Sequence, residues 1–255
     1  MKVIILAGGL GTRLSEETVL RPKPMVEIGG MPILWHIMNI YAAHGYKDFV
    51  VAAGYKSEFI KDYFANFYLR SSDVQVNLKS GKVDLVRSKV PDWRVEIVDT
   101  GMNTQTGGRV KRLKDHIGNN PFMLTYGDGV GSVNIGDLVK THQRNQSIVT
   151  LTAVRPPARF GGLTFNGDQI TQFSEKPQIG EGWINGGFMV MEPAIFDHIS
   201  GDDALLERTP MEAVARLGKL FAYRHEGFWQ PMDTLREKSL LEELWQSGKA
   251  PWKVW

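Results

Sequence analysis

A chain of 255 residues, 42% hydrophobic and 23% charged, carries enough apolar material for one large α/β domain or two small ones. The absence of cysteine excludes disulfides, thiolate metal ligands and a thiol nucleophile together, and makes a cytoplasmic location the default expectation. A net charge of +2 without a basic run argues against nucleic acid as a partner, and the longest apolar stretches are strand-sized, so no membrane partner is expected.

Residues 2–6 read as a first buried strand, with no room ahead of it for a signal peptide. Three glycines follow at once: Gly8, Gly9 and Gly11. A glycine-rich loop at the carboxyl end of a first strand is where an α/β sheet places phosphates, because small residues let backbone N–H groups approach an anion. Leu6, Ala7, Gly8, Gly9, Leu10, Gly11 and Thr12 are therefore candidate nucleotide contacts, with Arg13 and Lys23 as two nearby cations. Lys23 lies in Arg21-Pro22-Lys23-Pro24, where the prolines predict an extended backbone that aims the ammonium. A solvated lysine on an exposed turn is the alternative. The loop lacks the third glycine of the dinucleotide fingerprint, and no Gly-Lys-Ser/Thr follows, so neither an NAD site nor a P-loop is supported.

Helical periodicity is absent until Pro32. A helix is then predicted over 32–43, with Ile33, Ile37, Ile40 and Tyr41 on its buried face, followed by a strand over 48–52. A second helix over 56–67 carries the stripe Phe59, Ile60, Tyr63, Phe64 and Phe67. Residues 74–78, 83–86 and 94–98 alternate, and Ser80-Gly81 marks a turn, which predicts an antiparallel insertion. A helix begins near Thr106. A buried strand over 122–125 runs into Tyr126-Gly127-Asp128-Gly129, Asn134 caps another helix, and a strand over 148–154 ends at Pro156-Pro157. This alternation predicts a doubly wound α/β sheet whose nucleotide-binding half covers 1–157.

Beyond residue 157 the pattern turns antiparallel. A hairpin over 162–165 and 169–174 turns at Gly167-Asp168, and 184–191 reads as one further strand. Helices over 193–199 and 210–217, a strand over 220–223 and a last helix over 233–247 complete a smaller lobe, 158–255, built onto the first half within a single unit, 1–255. The closing Trp252-Lys253-Val254-Trp255 is either a docked tail or a subunit contact.

Asp128, flanked by Gly127 and Gly129, follows a buried strand beside the same crevice as the glycine loop. There it is placed to hold Mg²⁺ against phosphate oxygens, with a simple turn as the alternative. Asp233 supplies a second carboxylate, or serves as a helix N-cap. Mg²⁺ takes one or two carboxylates plus phosphates and water, so two aspartates suffice. Glu175-Lys176-Pro177 and Asn185-Gly186-Gly187 suit a polyhydroxyl ligand bearing one phosphate: carboxylate and amide for hydroxyls, lysine for the phosphate. The histidines show no ligand spacing.

Together these motifs resemble the sugar-1-phosphate nucleotidylyltransferases, nearly end to end. The family's opening stands here as Ala7 to Leu14 with Pro22-Lys23-Pro24, and its later elements as Gly127-Asp128, Glu175-Lys176-Pro177 and Asp233. Within the family the chain is most similar to the branch that transfers cytidylyl groups to glucose 1-phosphate. That similarity rests on Asp99-Thr100-Gly101, Thr106-Gly107-Gly108-Arg109, Asn185-Gly186-Gly187-Phe188 and the stretch from Gly227 to Leu235. The thymidylyl relatives place a glutamine and a different stretch where Thr106-Gly107-Gly108-Arg109 stands, which argues against thymidine or uridine. The resemblance implies a Rossmann-like mixed sheet with an antiparallel insertion and a sugar-binding lobe. It also implies CTP plus α-D-glucose 1-phosphate giving CDP-glucose and pyrophosphate, Mg²⁺ as cofactor, a homo-oligomer up to a hexamer, and a place in dideoxysugar synthesis.

Base choice has its own expectation. Cytosine presents O2 and N3 as acceptors, and arginine has donors only, so Arg109 would favour cytosine over uracil. Gly107 and Gly108 would let the backbone approach the ring, and Thr104 would assist; the alternative leaves Arg109 solvated or on a phosphate. The same scaffold with UTP, dTTP or ATP, and a non-catalytic regulatory subunit, are the competing readings.

Overall fold

Side chains alternate across the central strands, and in this chain both sets are apolar, so one sheet is buried on both faces. The computed structural model describes residues 1–88, 90–156, 162–166, 169–174 and 182–255. Eight strands make the sheet: β1 (Val3–Ala7), β2 (Asp48–Ala53), β3 (Arg94–Asp99), β4 (Phe122–Tyr126), β5 (Val149–Val154), β6 (Ile184–Asn185), β7 (Met189–Met191) and β8 (Leu220–His225). Their order is β6-β5-β7-β4-β1-β2-β3, with β8 also paired to β5. Strands β4, β1, β2 and β3 run parallel, β7 is antiparallel to both β4 and β5, and β8 is parallel to β5.

Val3, Ile5 and Ala7 of β1 join Phe49, Val51 and Ala53 of β2 on one face. Ile4, Leu6, Val50 and Ala52 line the other. Helices α1 (Ile33–Ala43) and α4 (Ile135–Asn145), with Leu241 of α6 (Leu235–Gln246), cover the first face. Helices α3 (Thr106–Arg112) and α5 (Thr209–Arg216) cover the second; α2 (Ser57–Ala65) buries Ile60 on the first. Among the described residues no helix is long and apolar enough to cross a membrane.

The fold departs from the sequence expectation in four places. Residues 94–99 are not part of an antiparallel insertion: they form β3, a parallel edge strand registered Asp48↔Arg94 through Ala53↔Asp99. The insertion is the ribbon Ser72–Asn77 with Lys82–Ser88 alone. Residues 184–191 are two strands rather than one, interrupted where Gly187 and Phe188 take positive φ of 75° and 45°. Strands from both sides of residue 157 share this sheet, since β7 sits between β4 and β5, and β8 pairs with β5. Finally, a short helix, Ser15–Thr18, begins well before Pro32, and Phe59 of the predicted aromatic stripe faces solvent. The expected hairpin is present as Gly162–Asn166 with Gln169–Ser174; its turn residues, Gly167 and Asp168, lie outside the described residues.

Candidate active site

In an open α/β sheet, ligands lie beyond the carboxyl ends of the strands where the winding direction reverses. Here that point falls between β1 and β4, since the chain winds from β1 toward β2 and β3 on one side and returns to β4 on the other. The glycine loop leaves β1 and Gly127-Asp128 leaves β4, so the two motifs flank one crevice. A cleft of about 300 Å³ opens there.

Of the predicted nucleotide contacts, Leu6, Ala7, Gly8, Gly9, Gly11, Thr12, Arg13, Lys23, Thr104, Arg109 and Gly127 line the cleft, as does Asp128. Gly11 takes φ 65° at the start of a 3₁₀ turn, Thr12–Leu14, a conformation that favours glycine. Among the described residues, no acceptor meets the backbone N–H groups of Gly9, Gly11, Thr12 and Arg13. That is the donor array an anion needs. Leu10 is instead half exposed and lies outside the cleft lining.

Lys23 departs from the extended geometry expected of it. Pro22 is extended (ψ 149°), but Lys23–Met25 fold into a 3₁₀ turn closed by Met25 N–H on the Pro22 carbonyl at 2.8 Å. The turn drives the lysine inward, leaving it 7% exposed. Its Nζ donates to Asp128 Oδ2 at 2.6 Å and to Asp233 Oδ1 at 2.5 Å, while Arg13 Nη1 meets Asp233 Oδ2 at 2.7 Å. Burial alone would lower the pKa of Lys23. The charges and hydrogen bonds of Asp128 and Asp233 outweigh it and hold the ammonium above its usual range. Asp233 is left available because it is not the N-cap of α6. Thr234 is, in a capping box with Glu237.

Both carboxylates touch one cation, so they are close enough to share another. Two hard oxygen donors from separate elements, facing a phosphate-ready loop, fit Mg²⁺. Among the described residues no group of three or more His, Cys, Asp or Glu side chains converges, so the fit depends on substrate phosphates for the remaining ligands.

Both terminal nitrogens of Arg109 are engaged by acceptors of the chain itself. The residue is 4% exposed, and Nη1 donates to Thr100 Oγ1 and the Gly101 carbonyl at 2.7 Å and to the Ala53 carbonyl at 3.2 Å. Nη2 donates to the carbonyls of Gly8 (2.9 Å) and Met102 (3.2 Å). Burial lowers its pKa, opposed by Asp99. The guanidinium thus ties together the chain ends after β1, β2 and β3, filling the space where Gly8 would carry a side chain: a Cβ there would stand 2.1 Å from Nη1. Gly107 and Gly108 likewise serve the chain's own packing. Cβ atoms on them would fall 2.7 Å from the Ala204 carbonyl oxygen and 2.5 Å from that of Asp202, so their open faces are taken by backbone rather than by a ring.

On the sugar side, Glu175 and Lys176 lie outside the described residues. Asn185 Oδ1 accepts from Gly187 N–H at 3.0 Å, and its Nδ2 donates to Tyr126 Oη at 3.2 Å. Gly186 backs onto Val154, where a Cβ would meet Cγ1 at 2.6 Å. The sequence reading missed Tyr126, Thr106, Gln105 and Pro24, all of which line the cleft. Tyr126 Oη and Thr106 Oγ1 both donate to Glu207, each at 2.7 Å. Tyr126 and Thr106 adjoin recognised motifs and were findable; Glu207, about 80 residues distant, carries no local signal.

A profile of the family described as Nucleotidyl transferase matches residues 2–227. The chain is 50% identical to glucose-1-phosphate cytidylyltransferase of Salmonella typhimurium and 40% identical to the probable glucose-1-phosphate cytidylyltransferase of Bacillus subtilis, with 100% of both chains covered in each case. Among solved structures, HddC from Yersinia pseudotuberculosis complexed with GMP-PN has the same fold, with TM-score 0.69 at 22% identity over 96% of this chain and 99% of that one. The profile match takes in the glycine loop, Lys23 and Asp128, and the full-length relatives extend it past Asp233. On these grounds the chain belongs to the nucleotidyl transferase family.

Proposed function

We propose that this chain transfers the cytidylyl group of CTP to α-D-glucose 1-phosphate, releasing pyrophosphate and forming CDP-glucose. The observation that carries the chemistry is the convergence of Lys23, Arg13, Asp128 and Asp233 beside a glycine loop whose N–H groups meet no acceptor among the described residues. The full-length identity to the Salmonella cytidylyltransferase supports the choice of base and sugar.

The reaction sets a sugar phosphate, nearly a dianion, against a triphosphate with about four negative charges, so repulsion is the main obstacle and positioning supplies most of the catalysis. In this reading the loop N–H groups and Arg13 hold the β- and γ-phosphates that leave as pyrophosphate. Lys23 bridges the α-phosphate and the incoming sugar phosphate. Asp128 and Asp233 would hold Mg²⁺, and its charge would offset the negative charge of the phosphates at the site. The attacking phosphate oxygen is already ionised, so no general base is required. Glu175, Lys176 and Asn185 are assigned to the sugar phosphate. Arg109 acts on the nucleotide indirectly, by fixing the carbonyls of Gly8 and Gly101 that border the cleft.

We further propose that the enzyme is a homo-oligomer working in the cytoplasm as one unit over 1–255. Val74, Val76, Val83 and Leu85 share one face of the ribbon at 72–88 and are all exposed, which gives a second copy an apolar surface to cover. The deciding experiment offers CTP, UTP, dTTP and ATP in turn, with glucose 1-phosphate and Mg²⁺, and measures pyrophosphate. Fastest release with CTP is expected; no release with any nucleotide would overturn the assignment.

A further inference from the structure

Lys23 lies between the two carboxylates that a divalent cation would need. Its buried ammonium lies 2.6 Å from Asp128 Oδ2 and 2.5 Å from Asp233 Oδ1, and Arg13 holds the other oxygen of Asp233 at 2.7 Å. Both oxygens of Asp233 are therefore engaged, along with one of Asp128. An ammonium and a divalent ion set between the same two carboxylates would stand nearly at contact, where like charges repel strongly. A buried lysine separated from its carboxylates is strongly disfavoured unless another anion receives it.

The charges of the site sharpen this point. Two cations, Arg13 and Lys23, cancel two carboxylates, so the free site is formally neutral. A divalent ion entering alone would charge it by +2 and displace Lys23 with no anion to turn to. A metal–triphosphate pair brings both the cation for the carboxylates and phosphate oxygens for Lys23 and Arg13.

We propose that Lys23 is a placeholder cation: it closes the Asp128–Asp233 pair to divalent metal in the free protein and gives it up only when a triphosphate takes the ammonium. Metal and nucleotide then bind with positive coupling, and by linkage each raises the affinity of the other by the same factor. The idea rests on the nucleotidyl-transfer reading only for the identity of the anion. It makes Lys23 a determinant of when metal binds, in addition to its part in binding phosphate.

Mn²⁺ titration of the full chain, followed by the electron paramagnetic resonance signal of free Mn²⁺, tests this without reading turnover. Wild-type protein alone is expected to bind Mn²⁺ weakly. Lys23→Met, which keeps length but removes the charge, is expected to bind it at least about tenfold more tightly without nucleotide. Adding Asp128→Asn to Lys23→Met should remove that gain. In the wild type, a non-hydrolysable CTP analogue should raise Mn²⁺ affinity beyond that of the analogue free in solution. Equal Mn²⁺ affinity in wild type and Lys23→Met would overturn the proposal. Should Lys23→Met fail to fold by circular dichroism, the wild type still decides: Mn²⁺ affinity unmoved by the analogue would overturn it too. An enzyme inactive with every nucleotide would refute the assigned reaction and leave the Mn²⁺ results to stand by themselves.

Discussion

Lys23 and Arg109 are both cations beside one cleft, yet their surroundings give them opposite roles. Lys23 faces carboxylates that other cations can take over, so its charge is transferable to a substrate. Lys23→Ala is expected to lower turnover by roughly 100- to 1,000-fold, or about 3–4 kcal/mol of transition-state stabilisation, measured as pyrophosphate release. Near-normal turnover would remove it from the reaction. Arg109 faces the chain's own acceptors: the Gly8 and Ala53 carbonyls have second donors in Tyr55 and Thr100, whereas the Gly101 and Met102 carbonyls find no other among the described residues. Arg109→Gln is therefore expected to cost about 1–3 kcal/mol in urea unfolding, because the Gly101 and Met102 carbonyls lose their donor. It should weaken CTP and UTP turnover alike. A selective loss of CTP over UTP would restore the base-reading role.

At the scale of elements, the start of α6 and the turn after β1 deliver the reactive groups. Thr234 caps α6 through Glu237 N–H, and Glu237 returns to the Asp233 and Thr234 N–H groups at 2.7 and 3.0 Å. This box fixes the backbone of Asp233 while leaving its carboxylate pointed at Lys23 and Arg13. Thr234→Ala should lower stability by about 1 kcal/mol. It should also reduce turnover more than a surface cap elsewhere would, for example Asn134→Ala at α4. Equal turnover in the two variants would show that the cap has no bearing on Asp233. Gly187 and Phe188 perform a related task, since their positive φ interrupts the strand run and turns Asn185 toward Tyr126.

Over the whole molecule, the C-terminal segment closes the side of the fold from which Asp233 is presented. Trp252 is fully buried and packs with Trp245, Phe228 and His36, so the tail is docked on its own chain. Gly29 admits the contact: its N–H donates to Glu242 Oε2 at 2.8 Å, and a Cβ there would meet the Trp245 indole at 1.9 Å. His36 Nε2 donates to the Ile28 carbonyl at 2.9 Å, and its Nδ1 accepts from Trp252 Nε1 at 3.4 Å. Burial lowers the pKa of His36, and Lys253 adds to this, against bonds to Ile28 and Met31 and the charge of Glu242. His142 is lowered by burial as well, opposed by Glu192. A folded-state pKa below the unfolded value means that unfolded chains bind more protons once the pH drops under about 6.5. Stability is thus complete above that pH and falls as the pH drops toward the depressed folded-state values. The urea midpoint should decline as the pH falls below about 6.5, and His36→Phe should flatten the decline. An unchanged slope in His36→Phe would assign the effect elsewhere.

The glycine loop, the prolines around Lys23, the Gly127-Asp128 pair and the periodicity of α1 and α4 were legible in the order of residues alone. Each depends on neighbours a few positions away, where backbone sterics and helical or strand spacing operate. The pairing of Lys23 with Asp233 spans 210 positions, and that of Arg109 with Gly8 spans 101. No local rule reports such contacts. Arg109 illustrates the limit: donor chemistry suggested a base edge as its partner, and the packed sheet surrounds its terminal nitrogens with the chain's own carbonyls and Thr100 Oγ1. Residues 94–99 joined the parallel sheet for a similar reason, since alternation shows that a strand has two faces and cannot show which edge receives it. Composition and spacing determined the chemistry available to this protein; which charge meets which partner was decided by the fold, because burial brings remote groups together and leaves each one with few alternatives.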